Sequence, residues 1–273
     1  MSEWRMRVAP VGDCEIHYID EGEGFPILLI HGLAGDHTAW NPQIEAWRGR
    51  HRVLATDTRG AGRSTQVDEP VTIRELALDL LAVLDHAGIE KCHLIGRSMG
   101  GFLAQHIALD APERVCSLVM LASAGKLDPL AARLLTNMRE VLEWTGSWPA
   151  HAAHSVPNFV SQRFFIENPD RIQGIETLIG GEQRLQACYV RQNHACLAHD
   201  TLDRLHELDC PVLLMAGGHD RLCGTNALRS MAERLPDCDT EVFEDSSHFF
   251  LMEEPERFMA RIDAWLETHT PTA

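Results

Sequence analysis

Gly96-Arg97-Ser98-Met99-Gly100-Gly101 places a serine between glycines where a short apolar run, His93 to Ile95, gives way to a helix-like stretch, Phe102 to Leu109. A Gly-x-Ser-x-Gly at a strand-to-helix corner forces the serine into a strained backbone conformation, and the glycines remove side chains that would clash with neighbouring elements. The hydroxyl is then presented at the carboxyl edge of a sheet as a nucleophile. Ser98 would also stand at a helix N-terminus, so the Met99 N–H can point at a developing oxyanion. Ile30-His31-Gly32-Leu33-Ala34-Gly35 leaves another strand into a small-residue loop, where the Leu33 N–H could supply a second donor. The chemistry this suggests is acyl transfer. A third loop, Asp57 to Ser64, follows the next strand, and its charged residues read as bracing.

Such loops need a parallel sheet beneath them. Ile27 to Ile30, Val53 to Ala55, His93 to Ile95, Val115 to Leu121 and Val212 to Ala216 are short apolar runs bounded by Gly, Pro or charge, the pattern of strands buried on both faces. Residues 4–9 and 15–20 suggest an antiparallel edge pair turning at Gly12-Asp13. Ile73, Leu76, Leu80, Leu81 and Leu84 recur at helical spacing over 72–87, behind a Thr72/Glu75 capping box. After Leu121 the alternation stops, and 126–207 reads as helical pieces broken at Gly146, Pro149, Pro157 and Pro169. So long an interruption is an inserted helical cap, since a structureless loop of that length is improbable in a compact domain. The expected body is therefore 1–125 with 208–273, and the cap is 126–207.

The composition agrees with a small-molecule enzyme. The 273 residues carry 24 Lys+Arg against 40 Asp+Glu, a formal charge of −16, and 45% are hydrophobic, enough for a sizeable core. An acidic surface repels phosphate backbones and anionic membranes, so neither a nucleic-acid nor a membrane partner is expected. The eight cysteines form no C-x-x-C pair or zinc-like cluster and read as reduced thiols. Glu3, Arg5 and Arg7 stand where a signal peptide needs an apolar core, which leads to the expectation of a cytoplasmic protein. His151/His154 and His194/His199 lack an accompanying ligand set, so no metal or other cofactor is assigned.

The loop at 31–32, the Asp-x-Arg-Gly-x-Gly-x-Ser loop at 57–64 and the elbow at 96–100 together resemble the α/β-hydrolase fold superfamily over nearly the whole chain outside 126–207. The resemblance implies an eight-stranded, mostly parallel sheet flanked by helices, with the cap after the sixth strand. It also implies a triad in the chain order serine, acid, histidine. Asp220 follows the late strand ending Gly217-Gly218-His219 and is the best-placed acid, with Asp245 a weaker rival. His248 follows the last strand, Thr240 to Phe243, and is the candidate base. An imidazole can take the serine proton, and a carboxylate fixes its tautomer and stabilises the imidazolium. His219 reads as a loop residue and His31 as support for the oxyanion loop.

Substrate contacts are less sharply written. Trp144, Trp148, Phe159, Phe164 and Phe165 could line an apolar pocket or pack the cap on the body. Arg191, with Gln192 and Asn193, could grip a carboxylate. Arg97 could steer an anionic substrate, although pairing with an acidic neighbour is the simpler expectation. Within the superfamily, the Arg-Ser-Met-Gly-Gly elbow, Asp110 to Val115 and Arg191 to His199 are similar to the 3-oxoadipate enol-lactonase and carboxylesterase branch. Aminoacrylate hydrolases share a comparable cap pattern but use no elbow serine. Carbon–carbon hydrolases of aromatic catabolism share Ser-Met-Gly-Gly but typically carry Trp where this chain has Phe249. Dehalogenases and epoxide hydrolases need an Asp in place of Ser98. The expected activity is hydrolysis of a small-molecule ester or lactone by a monomer or homodimer. Hydrolytic cleavage of a vinylogous diketone is the alternative, and a non-catalytic ligand receptor the third reading.

Overall fold

The computed structural model describes residues 4–66, 69–182 and 184–271; residues 1–3, 67–68, 183 and 272–273, which the expected domain ranges include, lie outside them. Eight strands form one sheet: β1 (Met6–Val11), β2 (Cys14–Glu21), β3 (Pro26–Ile30), β4 (Arg52–Thr56), β5 (Cys92–Arg97), β6 (Val115–Leu121), β7 (Val212–Gly217) and β8 (Cys238–Phe243), in the spatial order β1-β2-β4-β3-β5-β6-β7-β8. Only the β1/β2 and β2/β4 pairings are antiparallel. The expected strands are all present: β3, β4, β7 and β8 are one or two residues longer than expected and β5 three, β6 has the expected bounds, and the edge strands lie at 6–11 and 14–21 rather than 4–9 and 15–20.

The central strands are apolar on both faces because helices cover both faces. Leu28, Ile30, Leu94, Leu118, Met120 and Leu214 point to one side, where α2 (Ile73–His86) and α3 (Met99–Asp110) contribute Leu76, Leu80, Phe102 and Leu103. Their alternate neighbours Ile27, Leu29, Ile95, Val119, Leu213 and Met215 point to the other. There they meet Ile44 and Trp47 of α1 (Asn41–Trp47), with Phe258, Ile262 and Trp265 of the C-terminal helix. The period of two assigns each residue to a layer, and a one-residue slip would exchange the layers. The Thr72/Glu75 capping box is formed in full, with the Thr72 hydroxyl accepting from the Glu75 N–H and the Glu75 carboxylate from the Thr72 N–H.

Between β6 and β7 run α4 (Pro129–Thr145), α5 (Trp148–Ser155), α6 (Gln162–Glu167), α7 (Pro169–Gly180) and α8 (Gln186–Ala198). The residues that punctuate this stretch mostly start helices. Pro129, Pro149 and Pro169 each occupy a first turn, where the missing N–H costs nothing. Asp128, Ser147 and Ser161 cap three of the helices. Only Gly146, at φ 62°, is a stop. The two ends of the excursion meet: Lys126 bridges to Asp200, its Nζ 2.6 Å from Oδ2, and the Thr201 N–H donates to the Gly125 carbonyl. After β7 come α9 (Thr225–Ala232), α10 (Phe250–Glu253) and the C-terminal α11 (Pro255–His269). No described helix is long and apolar enough to cross a membrane.

Candidate active site

Strand order makes the crevice. From β3 the chain crosses to β4 on one side, while β5 lies on the other, so the loops after β3 and β5 diverge at their carboxyl ends. Gly32 and Ser98 follow those two strands. A side chain on Gly32 would begin 3.2 Å from Ser98 Cβ and 3.2 Å from the Arg97 carbonyl oxygen, so the two loops lie against each other.

Ser98 has φ 54° and ψ −119°, a left-handed conformation that non-glycine residues avoid at a cost of about 1–3 kcal/mol. Three anchors hold it there. Its N–H donates to the Leu121 carbonyl at 2.8 Å, and its carbonyl accepts from the Ser123 hydroxyl at 3.0 Å and the Gly101 N–H at 2.9 Å. The flanking glycines are needed for close approach: a Cβ on Gly96 would lie 2.3 Å from the Gly100 oxygen, and one on Gly100 2.1 Å from the Ile30 oxygen. The helix begins at Met99, earlier than the Phe102 read from the sequence, so Ser98 is its N-cap and the Met99 N–H opens the first turn. Among the described residues no hydrogen bond occupies the Met99 or Leu33 amide.

The loops after β7 and β8 bring the candidate acid and base together. Asp220 is buried; its Oδ1 accepts the Leu222 and Cys223 N–H groups at 2.8 and 3.1 Å, while Oδ2 pairs with His248 Nδ1 at 2.8 Å. Two backbone donors thus aim the carboxylate before it meets the imidazole, and the pair fixes His248 with Nε2 as the free position. Among the described residues no hydrogen bond joins Ser98 Oγ to His248. Asp245, the rival acid, lies with His219 on a separate open groove of about 830 Å³ that Ser98 does not touch.

The candidate oxyanion loop is braced from beneath. His31 is buried, and its Nε2 takes the Thr58 N–H at 3.1 Å, so Nδ1 carries the proton and donates to the Gly32 carbonyl at 2.8 Å. Burial pushes its pKa down to about 4, which keeps this bridge neutral. Asp57 accepts from the His37 and Arg63 amides and from His37 Nδ1; these bonds hold its carboxyl below the usual range against the opposing pull of burial, the largest single influence. Asp36, His37 and Asp57 place possible ligand atoms within 4.8 Å of one another, a cluster the sequence reading did not pick out. Both Asp57 oxygens are engaged by N–H donors, which marks it as a loop brace. Arg59 pairs bidentately with Asp79 of α2 at 2.9 and 2.7 Å, the bracing role expected of that loop.

Several contacts escaped the sequence. The Arg184 side chain is fully buried and donates to the Gly35 carbonyl at 2.8 Å and Gln192 Oε1 at 3.2 Å, joining the helical excursion to the oxyanion loop. Glu253 accepts from the Ser161 N–H and hydroxyl and from the Ser247 N–H, tying α6 to the His248 loop. Neither stands in a recognisable motif, and only folding brings their partners near.

The expected substrate contacts separate. Trp144 is 77% exposed and lines neither the groove nor the site cavity. The buried stripe of α4 runs through Ala131, Met138 and Leu142, and two residues further on lies about 200° around the helix, towards solvent. Phe165 is exposed as well. Trp148 is buried against His151 and Tyr189, and Phe164 packs inside the excursion, so both are packing residues. Arg191 is half-buried on α8. Its neighbours turn inward: Gln192 donates to the Arg59 carbonyl at 2.7 Å and Asn193 to the Leu135 carbonyl at 3.0 Å. Phe249 stacks on Phe159 at 4.9 Å beside His248, and Arg97 lies over its ring at 5.0 Å. Arg97 has no acidic partner among the described residues, contrary to the simpler expectation. Beside Ser98 is a small apolar pocket of about 20 Å³, walled by Leu33, Phe102, Leu135, Cys196, Leu222 and Cys223. That volume holds about one water or a methyl-sized group.

The fold that carries this arrangement is found in known proteins. The alpha/beta hydrolase fold family matches residues 26–255. The curated protein named "Putative carbamate hydrolase RutD" of Azorhizobium caulinodans is 31% identical over 257 residues, which cover 93% of this chain and 95% of that protein. A thermophilic esterase from Thermogutta terrifontis, solved with malate bound, matches with a TM-score of 0.86 at 27% identity, over 97% of this chain and 100% of its own. The enol-lactonase of Burkholderia xenovorans shares the fold at a TM-score of 0.86 and 24% identity, over 96% of this chain and 100% of its own.

Proposed function

Because the chain belongs to the α/β-hydrolase fold family, we propose that it is a serine hydrolase that cleaves a carboxylic ester or lactone of a small molecule through an acyl-enzyme. The observation that carries this reading is the Asp220–His248 pair at 2.8 Å, on the same sheet edge as the strained Ser98 and its two unoccupied amides.

His248 Nε2 takes the Ser98 proton as Oγ attacks the carbonyl carbon, and Asp220 stabilises the imidazolium. The Leu33 and Met99 N–H groups receive the oxyanion, which develops only in the transition state, so their worth is catalytic. Collapse breaks the ester C–O bond, His248 returns the proton to the departing alkoxide, and a water activated by His248 hydrolyses the acyl-serine. The Ser98–His248 link forms in the reacting complex, as is usual where an unliganded site is loose. Residues 126–207 act as the cap, closing over this edge through the Arg184 and Glu253 ties. The apolar pocket beside Ser98 is where the acyl group would sit.

Ser98→Ala is expected to lower kcat on p-nitrophenyl acetate by at least ~10³-fold without lowering Tm. Undiminished hydrolysis by the purified variant would reject the assignment. A second reading, hydrolysis of a carbamate, takes support from the name of the curated relatives. The same residues would serve, with a carbamoyl group on Ser98. Initial rates on matched ethyl acetate and ethyl carbamate separate the two.

A further inference from the structure

Arg97 is a cation without a counter-ion at the centre of the site. Its Nε lies 3.7 Å, and Ser98 Cβ 3.2 Å, from the point where a side chain on Gly32 would begin. The guanidinium carbon stands 5.0 Å from the centre of the Phe249 ring, whose own centre is 6.0 Å from that of His248. The guanidinium is therefore held among the oxyanion loop, the nucleophile and the residue after the base. Among the described residues no carboxylate pairs with it and no hydrogen bond takes its N–H groups. It is only partly exposed, and desolvation, with no acidic neighbour to offset it, pushes its pKa down to about 10.

A guanidinium taken from water without an acid to pair with is costly, and one aromatic face compensates it only in part. Of the other cations near the active loops, Arg59 is taken by Asp79 and Arg184 by Glu182 and Gly35, while Arg63 and Arg221 are exposed to solvent. In a chain of net charge −16, leaving this one unpaired keeps a positive spot inside a negative surround. Arg97 does not line the apolar cavity beside Ser98, so the site has two unlike compartments, one small and apolar, one cationic.

We propose that Arg97 recognises a carboxylate, so that the substrate is a small ester or lactone carrying a free acid group within reach of the scissile carbonyl. The planar fork can donate two parallel N–H bonds to the two carboxylate oxygens. A single cation matches a monoanion better than a phosphate dianion. The proposal deepens the hydrolase reading and rests on it for the identity of the scissile group, though its test does not need turnover.

The test uses Ser98→Ala protein, which binds without reacting, titrated calorimetrically with monomethyl glutarate and monomethyl succinate and with the corresponding dimethyl esters. The half-esters should bind at least ~10-fold more tightly, a preference that shrinks as salt is raised. Adding Arg97→Gln should bring the ratio close to one, and Arg97→Lys should restore part of it. Equal binding of half-ester and diester by the protein that retains Arg97, or no binding of either, overturns the proposal, and this arm is independent of whether the Arg97 variants fold. Hydrolysis of p-nitrophenyl acetate by the unmodified enzyme reports separately on Ser98. Turnover without a half-ester preference sinks only the carboxylate proposal; preference without turnover sinks only the hydrolase reading.

Discussion

The sheet edge and the helical excursion between β6 and β7 are built by different means. At the edge, the candidate site is built on main-chain geometry: Ser98 at positive φ with three anchors, Asp220 aimed by two amides, His31 bridging Gly32 to Thr58. In the excursion, helices with ordinary caps pack through side chains, and two charged groups, the buried Arg184 and the half-buried Glu253, fasten it to the active loops. Main-chain geometry demands particular residue types at fixed spacing. Side-chain packing tolerates many. The edge should therefore fail sharply when altered, and the excursion gradually, except at its ties.

The largest break belongs to the edge. Asp220→Asn leaves a side chain of the same shape but removes the charge that sets the His248 tautomer, so kcat/KM on a p-nitrophenyl ester should fall by ~10³–10⁴ with Tm little changed. A fall below tenfold would show that Asp220 does not orient the base. Next comes the joint between the regions. Arg184→Leu strands the Gly35 carbonyl and removes the ion pair to Glu182, at a cost of about 2–4 kcal/mol, and loosens the oxyanion loop. Thermal melting should drop by roughly 5–10 °C and kcat by ~10–100-fold. A stability loss with unchanged kcat would mean that the tie holds the excursion but not the loop.

Acid should act on both regions through buried histidines. Burial holds His31 at about 4, and His93 and His199 at about 3, against an ordinary 6.5. Below pH 6.5 the unfolded chain takes up protons that the folded chain refuses, so stability falls as pH falls, by up to about 1.4 kcal/mol per pH unit for each histidine. The decline continues until the folded groups titrate, near pH 4 for His31, and none of the three contributes above pH 7. Melting curves from pH 8 to 4.5 check this; a Tm at pH 5 equal to that at pH 7 would contradict it. The smallest effect is expected at Trp144→Ala, which should shift stability by less than about 0.5 kcal/mol and kcat/KM by less than twofold, because the ring faces solvent. A large loss of activity there would restore Trp144 to the substrate site.

Most of the fold was legible in the sequence because its signals are local. Apolar runs of three to seven residues, a capping box and glycines at strand ends each name their element from within a short window, and they locate β3 to β8 and α2 within a residue or two. The positions of Ser98, Asp220 and His248 followed from the same loops, since each stands at the carboxyl end of a strand. The excursion was legible as helices but not as contacts. Trp144 and Phe165 were plausible pocket residues by type, yet which face of a helix is buried depends on what it packs against.

The sequence by itself determined the sheet, the Ser98 corner and the order of the candidate site residues, because close backbone approach and positive φ restrict residue choice at single positions. Only the tertiary structure decided that Arg97 lacks an acid partner, that Arg184 and Glu253 fasten the excursion, and that the cavity beside Ser98 is small. Each of these depends on groups far apart in the chain, 149 residues in the case of Arg184 and Gly35, and no short window of sequence records which side chains will meet.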